Sequence, residues 1–165
     1  MVTAFLGLGS NLGNRLALLQ SGRDRLAATP GVVLEQSSGV YETAAQDCPP
    51  DSPPFLNAVL KVRTSLTPRQ LLERCLVIEA EHGRSRAEPN APRTLDIDLL
   101  LYAGVVIDEP GLQVPHPRLH QRPFVLAPLQ ELAATVEHPV LRQPLAALAT
   151  ALPETGALAP LQQQW

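Results

Sequence analysis

Short apolar runs, separated by polar and turn-forming segments, predict four β-strands along the chain. They cover residues 2–8, 32–41, 55–65 and 95–102, and each carries several aliphatic residues. Runs of this length that are bounded by turn residues are typical of strands with at least one buried face. A short hairpin is also predicted near Gly104, after the last of these strands.

Two amphipathic segments between the strands predict helices. The first, residues 14–28, begins at Asn14 as an N-cap and stops before Pro30-Gly31. The second begins at Thr67-Pro68-Arg69-Gln70, which combines a capping box with a first-turn proline, and Gly83 is placed to end it. The apolar stripes are predicted to comprise Leu12, Leu16, Leu19 and Leu26 in the first helix, and Leu71, Cys75 and Ile78 in the second.

The resulting order, β-α-β-β-α-β, is that of the ferredoxin-like arrangement. We therefore expect an α+β sandwich with a mainly antiparallel sheet. The chain beyond residue 115 is predicted to form turns and extra C-terminal helices, one of them over residues 141–152. A length of 165 residues favours a single domain over residues 1–165. The fold alone does not define a function, because enzymes, metal carriers and RNA-binding modules share it.

Composition excludes several classes of function. Hydrophobic residues make up 45% of the chain, and the net charge is −3. This balance is not that of a nucleic-acid-binding or membrane-surface protein. Two cysteines cannot build a disulfide framework, and no segment has the pattern of a signal peptide or a transmembrane helix. We therefore expect a cytoplasmic protein that has neither a nucleic acid nor a membrane as partner.

Two aspartates on the last predicted strand are the sharpest chemical feature. Asp96 and Asp98 alternate with Leu95, Ile97 and Leu99, so both carboxylates are expected on one face of the strand. Neighbouring carboxylates repel each other, and bound divalent cations relieve that repulsion. The spacing is equally compatible with the solvated polar face of an amphipathic strand.

Arginines in the flanking loops favour the metal interpretation. Arg84, Arg86 and Arg93 precede the aspartate strand, and His116 and Arg122 follow it. Carboxylates that hold metal beside guanidinium groups that bind phosphate are the recurring components of phosphoryl-transfer sites. Taken alone, the arginine-rich loop would also fit a surface salt-bridge patch.

Other candidate residues have two interpretations each. Gly7 and Gly9 do not fit a dinucleotide-binding fingerprint, so they indicate a tight turn or a close approach of the backbone to a ligand. Asn57 would read the edge of a heterocycle or make a structural hydrogen bond. Phe124 would stack on a ring or belong to the core, and Glu79 would contact a nucleotide or pair with an arginine.

Taken together, these motifs resemble the family of 6-hydroxymethyl-7,8-dihydropterin pyrophosphokinases, abbreviated HPPK. The most specific segments are Pro92-Arg93-Thr94-Leu95-Asp96-Ile97-Asp98 and Val114-Pro115-His116-Pro117. The other matching segments, in family order, are Gly9-Ser10-Asn11-Leu12-Gly13, Tyr41-Glu42-Thr43, Phe55-Leu56-Asn57-Ala58-Val59 and the stretch from Ile78 to Arg86.

The resemblance implies a complete set of site residues. It implies two Mg²⁺ ions held by Asp96 and Asp98, and catalytic roles for these aspartates and for Arg84 and Arg93. The residues implied for ATP are Glu79, Arg84, Arg86, Arg93, His116 and Arg122; those implied for the pterin are Thr43, Phe55, Asn57, Asp96 and Phe124. The implied reaction transfers pyrophosphate from ATP to the hydroxymethyl pterin in folate biosynthesis and leaves AMP. The implied partners are these small molecules, and we expect a monomer.

Two segments depart from the family pattern. Some members carry an Arg-Trp pair in the loop before Pro92, where this chain has Ala87-Glu88-Pro89-Asn90-Ala91. After Thr43 the chain reads Ala44-Ala45-Gln46-Asp47, where proline and glycine are frequent in the family. We therefore expect retained activity with a different loop and a different pocket wall.

Three alternatives remain at this point. A ferredoxin-like RNA-binding module lacks support, because the pI is acidic and an aromatic platform is missing. A different two-metal nucleotidyltransferase would release pyrophosphate from ATP, whereas the pyrophosphokinase releases AMP. A degenerate paralogue would bind pterin without turnover.

Overall fold

The computed structural model of this chain describes residues 1–44, 53–83 and 95–165. Its strands are β1 (Val2–Ser10), β2 (Val32–Ser37), β3 (Tyr41–Thr43), β4 (Phe55–Thr64), β5 (Asp96–Tyr102), β6 (Ile107–Glu109) and β7 (Leu112–Val114). Its helices are α1 (Arg15–Ala27), α2 (Pro68–Glu81), α3 (Pro123–Ala133), α4 (Leu145–Ala151) and α5 (Pro153–Gly156).

The main sheet confirms the ferredoxin-like topology. Its strands lie in the order β2-β4-β1-β5, and β3 also pairs with β4. The described pairings within it are antiparallel. Two β-α-β units therefore interleave, and β1 lies between β4 and β5, the strands that carry most of the predicted site residues.

Alternating side chains divide the core into two layers. Leu6 and Leu8 of β1 pack on the α1 and α2 side, whereas Phe5 packs on the α3 and α4 side. The predicted stripe residues Leu19, Leu26, Leu71, Cys75 and Ile78 are buried, and Leu16 is partly buried. Leu12 was predicted to join them and does not, because it precedes α1 and lies 37% exposed.

The predicted helix ends are confirmed. The side chain of Asn14 accepts a hydrogen bond from the backbone N–H of Ala17 at 3.1 Å. Thr67 and Gln70 form the reciprocal capping box at the start of α2. Gly83 follows the end of α2 with a φ of 79°, a left-handed conformation that favours glycine.

Three predicted elements differ from the structure. The predicted strand 32–41 is two strands, because the chain leaves the ladder at residues 38–40 to contact residues 160–165. The hairpin predicted near Gly104 lies instead between β6 and β7, around Pro110 and Gly111. The helix predicted from residue 141 begins at Leu145, because the backbone N–H groups of Val140 and Leu141 donate to His138 in a turn.

Within the part of the chain that the structure describes, the search for a helix long and apolar enough to cross a bilayer found none.

Candidate active site

Two glycines of β1 form the floor of a first cleft. Gly9 lies opposite Asn57 of β4 on one side and Asp96 of β5 on the other. Gly7 lies in the same way between Val59 and Asp98. Because Gly9 carries no side chain, space remains over β1 between Asn57 and Asp96, whereas the side chain of Leu100 covers Gly7, where a Cβ would lie 3.3 Å from Leu100 Cδ1.

Asn57 and Thr43 form one wall of this cleft. The amide nitrogen of Asn57 donates to the hydroxyl of Thr43 at 2.8 Å, across the β3–β4 pair. The same bond directs the amide oxygen toward the floor, where it lies 3.3 Å from the position that a Cβ on Gly9 would take. Asn57 is nearly buried, so its orientation is fixed by the protein. A fixed amide of this kind can recognise the edge of a heterocycle.

Aromatic and basic side chains complete the cleft. Phe55, Phe124, Arg118 and Arg122 line it together with the residues of the floor. The guanidinium of Arg122 lies 5.6 Å from the centre of the Phe124 ring, a cation–π arrangement. The cleft therefore combines phenyl rings, on which a planar ring can stack, with cationic groups that suit phosphate.

A second cleft meets the first at Asp98. Glu79, Asp98 and His116 line it, together with the hairpin formed by β6 and β7. Asp98 lines both clefts, whereas Asp96 lines only the first. A group transferred between ligands in the two clefts would therefore pass close to the carboxylate of Asp98.

Glu79 lies under β5 rather than in solvent. It is 1% exposed, and its Oε2 accepts a hydrogen bond from the backbone N–H of Ile97 at 2.7 Å. Since β5 is an edge strand, this carboxylate satisfies a backbone donor that no neighbouring strand reaches. Glu79 thereby fixes the strand segment between Asp96 and Asp98.

His116 faces the second cleft as a neutral ring. Burial, together with the positive charges of Arg122 and Arg118, lowers the pKa of His116 to about 4. Its Nδ1 accepts a hydrogen bond from the backbone N–H of Arg118 at 3.2 Å. The ring proton of the neutral form therefore lies on Nε2, which makes that atom a hydrogen-bond donor.

The two aspartates suit a magnesium site. Their carboxylate oxygens are the hard ligands that Mg²⁺ prefers, and both line the same cleft. Among residues 1–44, 53–83 and 95–165, no group of three or more His, Cys, Asp or Glu is placed to hold a metal ion by itself. The remaining ligands would therefore come from phosphate oxygens and water, as is usual for Mg²⁺ at phosphoryl-transfer sites.

The structure brings the described candidate residues together in two groups. Thr43, Phe55, Asn57, Asp96 and Phe124, the predicted pterin residues, line the first cleft. Of the predicted ATP residues, Glu79 and His116 line the second cleft, and Arg122 lines the first. Arg84, Arg86 and Arg93 lie outside the described residues, so their roles stay predictions.

Sequence reasoning did not assign Arg118 to the site. Arg118 lines the first cleft, two positions after His116. The available signal was its place in the same loop as His116 and Arg122, which the proline-rich pattern Val114-Pro115-His116-Pro117 already marked as functional.

Comparisons with known proteins identify the family of this chain. Residues 5–134 match the family described as 7,8-dihydro-6-hydroxymethylpterin-pyrophosphokinase (HPPK). The 2-amino-4-hydroxy-6-hydroxymethyldihydropteridine pyrophosphokinase of Methylorubrum extorquens is 44% identical over 137 residues, which cover 81% of this chain and 84% of the relative. The enzyme of the same name from Aquifex aeolicus is 41% identical over 145 residues, with 88% and 89% covered.

A solved structure gives the same fold. The crystal structure of wild-type Plasmodium falciparum HPPK-DHPS superposes with a TM-score of 0.72 at 14% identity. The match covers 91% of this chain but only 44% of that one, so this chain spans less than half the length of the solved protein. The family match and the two relatives, however, cover most of this sequence, and this chain belongs to the 7,8-dihydro-6-hydroxymethylpterin-pyrophosphokinase family.

Proposed function

We propose that this protein transfers the pyrophosphoryl unit of ATP to 6-hydroxymethyl-7,8-dihydropterin in folate biosynthesis, giving the pterin diphosphate and AMP. The observation that carries the proposal is the position of Asp98, which lines both clefts in a chain of this family. The first cleft has the features of a heterocycle site, and the second contains Glu79 and His116, which the family resemblance implies for ATP. Their junction is where the transferred group would lie.

The pterin is proposed to lie on the glycine floor. The amide of Asn57, held by Thr43, would read the hydrogen-bonding edge of the ring. Phe55 and Phe124 would contact its faces, and Asp96 borders the same cleft. The proposal is supported by the cross-strand row Asn57–Gly9–Asp96, which leaves room for a flat ring between two polar side chains.

ATP is proposed to lie in the second cleft with its phosphates directed toward Asp98. The Nε2–H of His116 would donate to a phosphate oxygen, and a neutral imidazole does so without a proton transfer. Arg122 would approach the phosphates from the first cleft, beside Arg118. Arg84, Arg86 and Arg93 are proposed to add guanidinium contacts, and Glu79 is proposed to act beneath the nucleotide.

Asp96 and Asp98 are proposed to hold two Mg²⁺ ions together with the triphosphate. Bound magnesium would supply charge neutralisation at the transferring phosphates. The two carboxylates come from one face of one strand, and Glu79 holds the backbone between them. The protein therefore supplies two oxygen ligands on a strand segment whose backbone is held by a buried hydrogen bond.

The chain's own contribution to the reaction would be positioning and electrostatics. The proposed transfer needs no covalent nucleophile from the protein, because the hydroxyl of the pterin attacks the β-phosphorus of ATP. The walls of the first cleft would orient that hydroxyl toward the cleft junction. The arginines would stabilise the charge that develops on the transferred group.

Two coarser features complete the proposal. We propose that residues 1–165 act as one pyrophosphokinase domain, because the described candidate residues line two adjoining clefts. We propose in addition that the protein is a monomer. We also propose a cytoplasmic location, where ATP is abundant, and no nucleic-acid partner, in keeping with the net charge of −3.

The test is a product assay. The protein is mixed with ATP, Mg²⁺ and 6-hydroxymethyl-7,8-dihydropterin, and the nucleotide products are separated. The proposal predicts AMP that forms only when the pterin is present, in equal amount to the pterin diphosphate. Release of free pyrophosphate without a pterin diphosphate would indicate a nucleotidyltransferase, and binding of the pterin without turnover would indicate a degenerate paralogue.

A further inference from the structure

Residues 160–165, here called the tail segment, lie across the junction between β2 and β3. The N–H of Val40 donates to the carbonyl of Gln162, and the N–H of Leu161 donates to the carbonyl of Val40, both at 2.7 Å. These reciprocal bonds form an isolated antiparallel bridge. The segment lies outside residues 5–134, which match the family.

The junction is shaped to receive the tail segment. A Cβ on Gly39 would lie 2.8 Å from Cβ of Pro160 and 3.2 Å from the carbonyl oxygen of Gln162. A distance of 2.8 Å between carbon atoms is far inside van der Waals contact. Only a residue without a side chain therefore allows this close approach at position 39.

Trp165 anchors the tail segment to two elements. Its indole N–H donates to the carbonyl of Ser38 at 2.6 Å. The guanidinium of Arg23, on α1, lies 4.8 Å from the centre of the indole ring and also donates to the backbone oxygen of Trp165. The ring is partly buried against the core, so the segment is held by apolar contact as well as by hydrogen bonds.

Glu131 connects the tail segment to both walls of the first cleft. Its carboxylate, on α3, accepts hydrogen bonds from the side chain of Gln163 at 2.8 Å and from the backbone N–H of Gly39 at 3.3 Å. The hydroxyl of Tyr41, on β3, donates to the same carboxylate. Burial and the hydrogen bond to Glu131 raise the pKa of Tyr41, so this hydroxyl keeps its proton.

Strand β3 begins directly after Val40 and leads into the first cleft. Tyr41 is paired with Asn57 in the β3–β4 register, and Thr43, at the end of β3, holds the Asn57 amide. On the opposite wall, Phe124 belongs to the same helix as Glu131. We propose that the tail segment is a positioning element for the pterin cleft, which fixes β3 against α3 and thereby sets the Thr43–Asn57 pair. This inference rests on the proposed function.

The test compares substitutions in the tail segment. Trp165→Ala removes the indole's hydrogen bond to Ser38 and its cation–π contact with Arg23, and Gln163→Ala removes the bond to Glu131. Gly39→Val pushes the segment away from the junction without changing any tail residue. Leu161→Ala is the matched control, because its side chain is 63% exposed and its backbone bonds remain. Steady-state rates are measured with each substrate varied at saturating concentration of the other, and a thermal melt confirms folding.

Each of the three variants is expected to raise the KM for the pterin about tenfold, equivalent to about 1.4 kcal/mol. The KM for ATP and the kcat should stay close to those of the unchanged protein and of Leu161→Ala. An unchanged pterin KM, or an equal loss for both substrates, would overturn the inference. If Trp165→Ala fails to fold, Gln163→Ala and Gly39→Val carry the test.

A second measurement separates this inference from the proposed function. The pterin is titrated calorimetrically into each protein in the presence of Mg²⁺ and a non-hydrolysable ATP analogue. The variants should bind it about tenfold more weakly, a loss of about 1.4 kcal/mol of binding free energy. If the protein without substitutions makes no AMP, that result contradicts the proposed function. An active protein whose variants bind the pterin normally contradicts only the role of the tail segment.

Discussion

At the scale of single residues, the shape of the first cleft depends on two positions without a side chain as well as on its polar side chains. Gly7 and Gly9 remove two side chains from the middle of the sheet, and the polar groups of Asn57, Asp96 and Asp98 face the space that remains. Neither glycine has a left-handed φ, so conformation does not require glycine there. We infer that Gly9 leaves space for a ligand, whereas Gly7 leaves space for the side chain of Leu100.

Gly9→Val should therefore impair pterin binding more than folding. The new side chain would enter the floor of the cleft, where even a Cβ lies 3.3 Å from the Asn57 amide oxygen. We expect the pterin KM to rise by about tenfold or more, equivalent to at least about 1.4 kcal/mol. Gly104→Val is the control, since a Cβ on Gly104 would meet no atom within 4 Å. Equal effects of the two substitutions would contradict a ligand-bearing floor.

Replacement of either aspartate should abolish turnover while the fold persists. Asp96→Asn and Asp98→Asn keep the shape of the side chains but remove the negative charge that holds a divalent cation. We expect AMP formation to fall by at least about a thousandfold, or about 4 kcal/mol of activation free energy. Glu73→Gln, on the exposed side of α2, is the charge-matched control. Full activity in both aspartate variants would refute the two-metal assignment.

His116 predicts a specific acid dependence of stability. Its pKa is lowered to about 4 in the folded chain, whereas an unfolded chain takes up the proton near the ordinary value of about 6.5. Between these values the unfolded state binds more protons, so the free energy of unfolding falls as the pH falls. Burial and the nearby His120 lower the pKa of His138 as well, so His138 also makes the free energy of unfolding fall as the pH falls.

His116→Asn should therefore reduce this fall without removing it. Urea unfolding of both proteins at pH values between about 7 and about 5 measures the difference, in the range where the linkage applies. If the free energy of unfolding fell equally with pH in the two proteins, His116 would take up its proton equally readily in the folded and unfolded states. That result would contradict the prediction.

At the scale of elements, a buried carboxylate joins α2 to β5. Glu79 is the last buried residue of α2, and it satisfies the N–H of Ile97 at 2.7 Å. The helix thus holds β5, the strand of Asp96 and Asp98, through a hydrogen bond as well as through the packing of Ile78 and Cys75. Burial and the neighbouring charges of Glu79 and Asp98 raise the pKa of Cys75 to about 12, so this thiol stays neutral and inert beneath the site.

Glu79→Ala should destabilise the protein, because it leaves the N–H of Ile97 buried without an acceptor. A loss of about 1–3 kcal/mol is expected for such a group. Glu81→Ala, nearby in α2, is the control: it breaks only an exposed ion pair with Arg25, for which less than about 1 kcal/mol is expected. Urea unfolding measures both, and equal losses would contradict the role assigned to Glu79.

Elements set by local signals were predictable from the sequence, and elements set by distant contacts were not. The capping box at Thr67 and the N-cap at Asn14 act within one turn, so the helix starts were predicted correctly. The break between β2 and β3 depends on residues 160–165, more than a hundred positions away. The start of α4 depends on a turn closed by His138, which has no simple sequence signature.

At the scale of the whole molecule, the topology brings distant motifs to one end of the sheet. The central strand β1 has β4 on one side and β5 on the other. Asn57, which is proposed to bind the pterin, therefore lies across β1 from Asp96 and Asp98, which are proposed to bind magnesium. The common face of Asp96 and Asp98 was predictable from the period-two pattern of the strand, whereas the place of Asp96 beside Asn57 was implied only by the resemblance to the family. The entry of Arg118 and Arg122 into the first cleft was not, because it depends on how the loop before α3 folds.

The most direct test follows the atoms that pass between the two clefts. With ATP labelled at the β-phosphate, together with Mg²⁺ and 6-hydroxymethyl-7,8-dihydropterin, the account predicts that the label appears in the pterin product and that AMP is unlabelled. Asp98→Asn should stop this transfer. A label that remains in ADP, or that is released as free pyrophosphate while the pterin stays unmodified, would contradict the account.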